Sequence, residues 1–292
     1  MTTDRNRLSI VLPARNEAEG LQKVLPALGR RFPEAELIVV NDGSTDETAR
    51  VAEAAGARVI THPASLGNGA AIKSGARAAT GDVVLFMDAD GQHRPEDAEA
   101  ILARLAEGHD MVVGARKGDG QASWLRRMGN GFYNRLASWM TGYRIEDLTS
   151  GFRAVRIDKF RRFLYLLPNG YSYPTTSTMA FFRSGYSVAY VPIDAATRLG
   201  SKSGIRLLKD GTRFFVIVLK VGALYSPMRL FLPVSAGFFG LGLLYYGYTF
   251  LTAGRFTNMG LLLFITAVMV FLMGIVSEQV SSLHYKHHDG HD

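Results

Sequence analysis

The stretch Val84–His93 reads VLFMDADGQH: an apolar run that stops at two acids one residue apart, Asp88 and Asp90, followed by Gly91. Val84 to Met87, bounded by polar residues and glycine, has the pattern of a buried strand. Two carboxylates held this close repel unless a cation sits with them. Hard oxygen donors suit Mg2+ or Mn2+, and an ion held by few protein carboxylates fills its other positions with substrate phosphates. The bland alternative for an isolated pair of this kind is a solvated turn, with Asp90 capping the helix that PED opens. Position at a strand end separates the two readings, so the neighbouring segments decide.

Working outward, LSIVLPARNE (8–17), AELIVVNDGSTD (35–46), ARVITHP (57–63) and HDMVVGAR (109–116) are further short apolar runs with polar ends. Leu21, Val24, Leu25 and Leu28 recur at helical spacing within 17–31, and residues 44–56, 68–80 and 94–108 read as helices, the last with Pro95 in its first turn. Strands alternating with helices at this spacing imply an open α/β sheet of parallel strands whose ligands bind beyond the carboxyl ends. PARNE, NDGSTD, DADGQ and GAR each fall at such an end, so four elements converge on one crevice. GYSVAYVPI (185–193) reads as a further strand pair.

The later sequence is of another kind. Leu230 to Ala253 is 24 residues without a formal charge and Met259 to Ser277 is 19 more, separated by GRFTN. At about 1.5 Å per residue each crosses a hydrocarbon core of roughly 30 Å, which predicts a transmembrane hairpin. Residues 204–228 alternate basic and apolar side chains at helical spacing, too charged to span, and are expected to lie in the membrane interface. Arg206, Lys209, Arg213, Lys220 and Arg229 precede the first span whereas the connection holds only Arg255, so the positive-inside rule puts the domain before them, and both termini, in the cytoplasm. The expected division is 1–203, 204–228, 229–280 (spans at about 230–253 and 259–277) and a polar tail 281–292.

Charge follows the same partition. Residues 1–112 carry net −5, 113–229 carry +13 and 230–292 carry −1, which gives the overall +7. The basic middle segment wants an anionic partner. It contains no recognised nucleic-acid module and leads directly into the spans, so a membrane surface explains it better than nucleic acid. The chain has no Cys, which excludes disulfides, thiolate zinc sites and a cysteine nucleophile and fits a cytosolic face. The first 25 residues do not read as a signal peptide.

LPARNE, VVNDGSTDET, GNGAAIKSGARAATGDVVLFMDADGQHRPED and DLTSGFRAV together resemble the GT-A family 2 glycosyltransferases, most of all the dolichol-phosphate mannose synthase branch of the polyprenyl-phosphate glycosyltransferases. The resemblance covers roughly residues 8–200. It implies a GT-A (Rossmann-like) sheet and transfer of a hexose, with inversion, from GDP-mannose or a UDP-hexose to dolichyl or undecaprenyl phosphate. It also implies that Pro13, Arg15, Glu17 and Asp42 line the nucleotide, that Asp88 faces the ribose or diphosphate, and that Asp90 and Gln92 join it in holding Mg2+ or Mn2+ and the donor phosphates.

A lipid phosphate is already an anionic nucleophile, so the barrier lies in bringing two phosphates together, and cations must lower it. Arg116, Arg126, Arg127, Arg153, Arg198 and Lys202 are the candidates, arginine being suited by its planar fork. The resemblance singles out Arg116, Arg198 and Lys202 at phosphates, with Asp90 as the key acid, and marks Asp147 and Ser150 as motif residues that orient Arg153 or close the pocket, Ser150 also being expected at the acceptor phosphate. In one segment the chain departs from the family pattern. Family members often place an acid between SGFR and the GY strand, whereas this chain has Thr175, Thr176, Ser177 and Thr178, expected to touch sugar hydroxyls or pack beneath the acceptor. Two alternatives stand beside the transferase: a processive polysaccharide synthase, against which the lack of an RW pair at Trp124 or Trp139 speaks, and a non-catalytic, membrane-tethered nucleotide-sugar-binding protein.

Overall fold

The computed structural model of the chain describes residues 7–116, 124–170, 172–194, 223 and 226–286, with side chains at all but 124–130 and 284–286. The chain divides into two compact units, Met1–Leu136 with Tyr143–Phe215, and Ala137–Gly142 with Val216–Asp292.

In the first unit the elements run β1 (Leu8–Ala14), α1 (Ala18–Arg31), β2 (Glu36–Asn41), α2 (Thr48–Ala54), β3 (Arg58–Thr61), α3 (Asn68–Ala78), β4 (Val83–Phe86), α4 (Pro95–Ala106), β5 (Met111–Arg116) and α5 (Trp124–Thr141), whose last turn belongs to the second unit. They continue through β6 (Arg153–Arg156), α6 (Ile157–Arg161), α7 (Tyr173–Arg183) and β7 (Val188–Ile193). The seven strands form one sheet in the order β3-β2-β1-β4-β6-β5-β7. β1 lies parallel between β2 and β4, with Val11 opposite both Ile38 and Phe86. β6 is antiparallel to β4 and to β5, and β7 is parallel to β5. Every strand but β6 therefore points the same way, and the sheet is mixed rather than all parallel.

Two expectations change here. The pair expected at 185–193 is a single strand, β7, and the strand the sequence concealed is β6. Its four residues, RAVR, begin and end in arginine, which is why periodicity did not reveal it.

Alternation along β1 sends Ile10 and Leu12 to one face of the sheet, where with Leu85 of β4 and Val112 of β5 they meet Leu21, Val24, Leu25 and Leu28 of α1 and Ile101 and Leu105 of α4. Full burial of each such leucine or isoleucine stabilises the fold by about 1.5–3 kcal/mol. On the other face α3 comes so close that a Cβ on Gly75 would stand 2.3 Å from Val11 Cγ1. Helices thus cover both faces and leave the strand ends as the polar rim.

The second unit contains α8 (Pro227–Ala253) and α9 (Asn258–Lys286), two helices long and apolar enough to cross a membrane, joined as a hairpin with Gly254 left-handed at the turn. Small residues set their register: Ser235 Oγ donates to Ala267 O at 2.8 Å, Phe231 packs against Gly274 and Phe264 against Gly242. Leu244, Leu251, Leu262 and Val276 are exposed, which suits a lipid surround rather than water. α9 runs to 286, past the span end expected at 277. Of the interfacial helix expected over 204–228, residues 204–222, 224 and 225 lie outside the described residues, and Pro227 and Met228 belong to α8.

Candidate active site

Because β1, β2, β4 and β5 point one way and β6 the other, the C-terminal ends of the first four and the N-terminal end of β6 share one edge of the sheet. The segments 13–17, 41–48, 87–93, 116 and 147–153 all gather there. The convergence expected of four polar strand ends is present, and the DLTSGFR segment joins them through β6.

β4 is buried throughout, so the strand that delivers the acidic turn is held in the core. Asp90 is buried and its Oδ1 accepts the Gln92 N–H at 3.1 Å, while the Asp88 side chain keeps 38 % of its surface exposed. Gly91 turns the chain with φ 74°. Two neighbours missed by sequence reasoning shape this turn. His93 stacks on Phe152 at 4.3 Å with Nε2 3.9 Å from Asp88 Oδ2, and the first turn of α1 approaches so closely that a Cβ on Gly20 would lie 2.1 Å from Ala89 O. Gly151 lies close to Asp88, a Cβ there falling 3.5 Å from Oδ2, and its carbonyl accepts the buried Tyr173 hydroxyl at 3.1 Å. Burial pushes the Tyr173 hydroxyl pKa well above its ordinary value, so it serves as a neutral donor.

The donor chemistry at this turn fits a divalent ion. Among the described residues no group of three or more His, Cys, Asp or Glu is placed to hold a metal alone. Asp88, Asp90 and Gln92 carry hard oxygen donors of the type Mg2+ or Mn2+ takes, too few to surround an ion without phosphate oxygens and water.

At the ends of β1 and β2 the expected nucleotide-binding residues divide. Arg15 is exposed, and Pro13 and Glu17 are half-buried. Asn16, left-handed at φ 54°, receives Thr45 N–H on Oδ1 at 2.8 Å and donates its own N–H to Ser44 Oγ, binding the two loops together. Glu17 N–H donates to Thr48 Oγ1 and Ala18 N–H to Asp46 Oδ2. Asp42 needs correction as a nucleotide ligand. Its carboxylate is almost fully buried and already accepts four bonds, from His62 Nδ1 (2.8 Å), Ser65 Oγ (2.8 Å), Leu66 N (2.8 Å) and Gly67 N (2.9 Å). With four donors on it and almost no exposed surface, the carboxylate offers no open oxygen to a ligand. Burial alone would push this carboxyl up, but the four donors outweigh it and hold its pKa below the ordinary range. Asp42 secures the loop before α3; His62, missed in the sequence, is pinned between it and Ser74 Oγ at 2.9 Å.

Arg116, the last residue of β5, meets Asp147 fork to fork: Nε donates to Oδ2 at 2.8 Å and Nη2 to Oδ1 at 3.1 Å, with Thr149 Oγ1 also taking Nη2 at 2.5 Å. Burial opposes the charge on both partners, but their mutual bonds prevail, holding Asp147 below and Arg116 above their ordinary pKa values. Arg153 does not belong with the acceptor cations. It is 0 % exposed, and its guanidinium donates to Pro174 O (3.1 Å), Ser177 Oγ (2.8 Å), Thr178 Oγ1 (3.1 Å) and Ser150 O. The hydroxyls expected to touch sugar are buried as well; Ser177 and Thr178 solvate Arg153, and Thr176 bonds to Ser172 O. Burial of a guanidinium demands partners for its donors, which both Nη atoms find while Nε has none among the described residues, and an arginine at the first position of a strand gave no sign of pointing inward. Ser150 is buried, with Oγ unpartnered among the described residues. The side chains of Arg126 and Arg127, and the whole of Arg198 and Lys202, lie outside the described residues.

Fold and site together give an open α/β sheet with an acidic turn at the central strand and a cationic fork beside it. The sequence profile of glycosyl transferase family 2 matches residues 9–164, and that of the GtrB C-terminal hairpin matches 226–283. The chain belongs to glycosyl transferase family 2, and its hairpin anchors it to a membrane. It is 31 % identical over 291 residues to glycosyltransferase AglJ of Haloferax volcanii, covering 94 % of each chain. It is 34 % identical over 161 residues to the undecaprenyl-phosphate 4-deoxy-4-formamido-L-arabinose transferase of Proteus mirabilis, covering 52 % of this chain and 49 % of that one. Among solved structures, glucosyl-3-phosphoglycerate synthase of Mycobacterium tuberculosis with Mn2+ and UDP-glucose shares the fold, with TM-score 0.60 and 24 % identity over 75 % of this chain and 79 % of that one. The resemblance read from the motifs to polyprenyl-phosphate glycosyltransferases is thereby met.

Proposed function

We propose that the protein transfers a hexose, with inversion at the anomeric carbon, from a GDP- or UDP-sugar to a polyprenyl phosphate on the cytoplasmic face of a membrane. The observation that carries the reading is the pairing, on one sheet edge, of the half-exposed Asp88 and buried Asp90 with the Arg116 fork, in a chain that ends in a membrane hairpin. Support for the acceptor comes from the undecaprenyl-phosphate transferase among the relatives and from the GtrB-type hairpin.

Asp88, Asp90 and Gln92 would hold Mg2+ or Mn2+, whose charge would offset that developing on the departing nucleoside diphosphate. Pro13, Arg15 and Glu17 flank the nucleotide at the end of β1. Arg116 receives a phosphate oxyanion, and Arg198, Lys202, Arg126 and Arg127 complete the cationic side. The nucleophile arrives ionised, so the chain needs no general base: its task is to set two anions in line and shield their repulsion. Catalytic domain and termini are cytoplasmic in this reading because the five basic residues ahead of α8 outnumber the single arginine between the helices.

The test is incorporation of radiolabel from a panel of GDP- and UDP-sugars into solvent-extractable lipid by detergent-purified protein, with polyprenyl phosphate and Mg2+ or Mn2+. Asp90→Ala should abolish transfer at unchanged melting temperature; near-normal turnover by that variant refutes the metal assignment. No labelled lipid from any donor refutes the reaction. Sidedness is read from single cysteines placed in the 254–258 turn, since the chain has none of its own.

A further inference from the structure

We propose that Asp147 is the positioning residue for Arg116: it grips one edge of the guanidinium and thereby aims the other at a phosphate oxyanion. The inference rests on the transferase reading above and adds a residue to its machinery.

Three observations carry it. First, the grip is bidentate and reinforced, because Oδ2 also accepts the Arg116 backbone N–H at 3.3 Å. Backbone and side chain of one residue are thus fixed by one carboxylate. An arginine with several rotatable bonds loses most of its freedom in such an arrangement before any ligand arrives.

Second, the carboxylate is itself immobile. Oδ1 accepts Thr149 N–H (3.0 Å), Thr149 Oγ1 (3.0 Å) and Ser150 N–H (3.1 Å), so Asp147 is the hub of its own turn. That turn is anchored at both ends. Asn134 of α5 takes Leu148 N–H on Oδ1 at 3.0 Å, and Arg153 holds Ser150 O from within the core. The buried cation that drops out of the acceptor site therefore has a role here, as the foundation on which the fork is mounted.

Third, the pair is asymmetric. The Asp147 side chain is 7 % exposed and that of Arg116 32 %, and Nη1 bonds to none of the described residues. A purely structural ion pair would spend both edges of the fork inward. In this one the acid is sealed while the cation keeps an open edge on the rim that carries Asp88. With Nε and Nη2 committed to Asp147 and Thr149, the N–H groups of Nη1 are the donors left for a phosphate oxygen.

The experiment uses full-length protein in detergent and a double-mutant cycle over Asp147→Ala and Arg116→Ala. For each variant kcat and KM are measured against both polyprenyl phosphate and nucleotide sugar, with melting temperature as the fold control. Asp147→Ala should weaken kcat/KM by roughly tenfold or more, and the double variant should be no worse than Arg116→Ala, because a residue that acts through another adds nothing once that other is gone. A change confined to the polyprenyl phosphate KM assigns the oxyanion to the lipid, one confined to the nucleotide-sugar KM assigns it to the donor diphosphate, and either supports the proposal. Asp147→Asn, which keeps the side chain's size and an acceptor for the turn, guards against simple unfolding and should fall between wild type and Asp147→Ala. If Arg116→Ala impairs transfer while Asp147→Ala and Asp147→Asn stay within twofold of wild type, or if the two losses multiply, the positioning role is overturned and the transferase reading stands. An Arg116→Ala variant with wild-type kinetics overturns the phosphate role of Arg116 and the positioning role of Asp147 together, while sugar transfer stands.

Discussion

Gly20 lies in the first turns of α1, an element with no obvious part in chemistry, yet its substitution should be felt in catalysis. Alanine in a helix is ordinarily worth about 0.5–1 kcal/mol more than glycine. At Gly20 this gain is overridden: the new Cβ would stand 2.1 Å from Ala89 O and 3.3 Å from Asp90 Cα. Such a contact does not close below about 3.0 Å, so helix or acidic turn must yield by roughly 0.9 Å, and overpacking of this kind costs about 1–3 kcal/mol. Because β4 and α1 are both fixed in the core, the turn between Asp88 and Asp90 absorbs much of the shift. A displacement near 1 Å at a reacting centre lowers rates by about 100-fold. Gly20→Ala should therefore lose roughly two orders of magnitude in sugar transfer, together with a lower melting temperature. Gly29→Ala is the control: it sits on the same helix with nothing within 4 Å of its Cβ and should melt higher at unchanged activity. Transfer assays with differential scanning fluorimetry on the three proteins decide it. Gly20→Ala within twofold of wild type would refute the claim that α1 sets the position of the acids.

Arg153→Met should destabilise the catalytic unit by about 3 kcal/mol or more, by leaving Ser150 O, Pro174 O and two hydroxyls without their buried donor; chemical denaturation measures it. The pKa of Asp42 is depressed in the fold, so its contribution to stability is present above the unfolded carboxylate value and lost as pH falls through the folded one. Asp42→Asn should accordingly melt lower at neutral pH, with the gap to wild type closing in acid. Asp97 has the opposite sign. Burial raises its pKa and its Oδ2 is unpartnered among the described residues, so Asp97→Asn should melt higher at neutral pH, the advantage disappearing below the folded value. In the hairpin, Ser235→Cys with Ala267→Cys should cross-link in membranes under mild oxidation, on a cysteine-free background, and failure to do so would contradict the register.

The strand ends and the hairpin were legible because they rest on short-range patterns. Val84 to Met87 followed by two acids, and two apolar stretches parted by five residues, declare themselves by composition and length alone, and the structure places them as expected. What stayed hidden depends on partners distant in the chain. Asp42 reads as a loop acid free for a ligand until His62, Ser65, Leu66 and Gly67 fold back onto it. Thr175 to Thr178 read as hydroxyls for a sugar or as packing beneath the acceptor until Arg153 turns inward to meet them.

The sequence by itself determined which residues carry charge, where most of the strands and helices fall, and that residues 230–253 and 259–277 prefer lipid to water, since each of these follows from local propensity and transfer free energy. Only the tertiary structure decided which charges remain available to a ligand. Arg116 and Arg153 are the same side chain thirty-seven residues apart, and no local pattern separates them. β6, inserted antiparallel between β4 and β5, buries one under a roof of hydroxyls and carries the turn that mounts the other on Asp147. A cation's role is set by what occupies its hydrogen-bonding edges, and that is a property of packing.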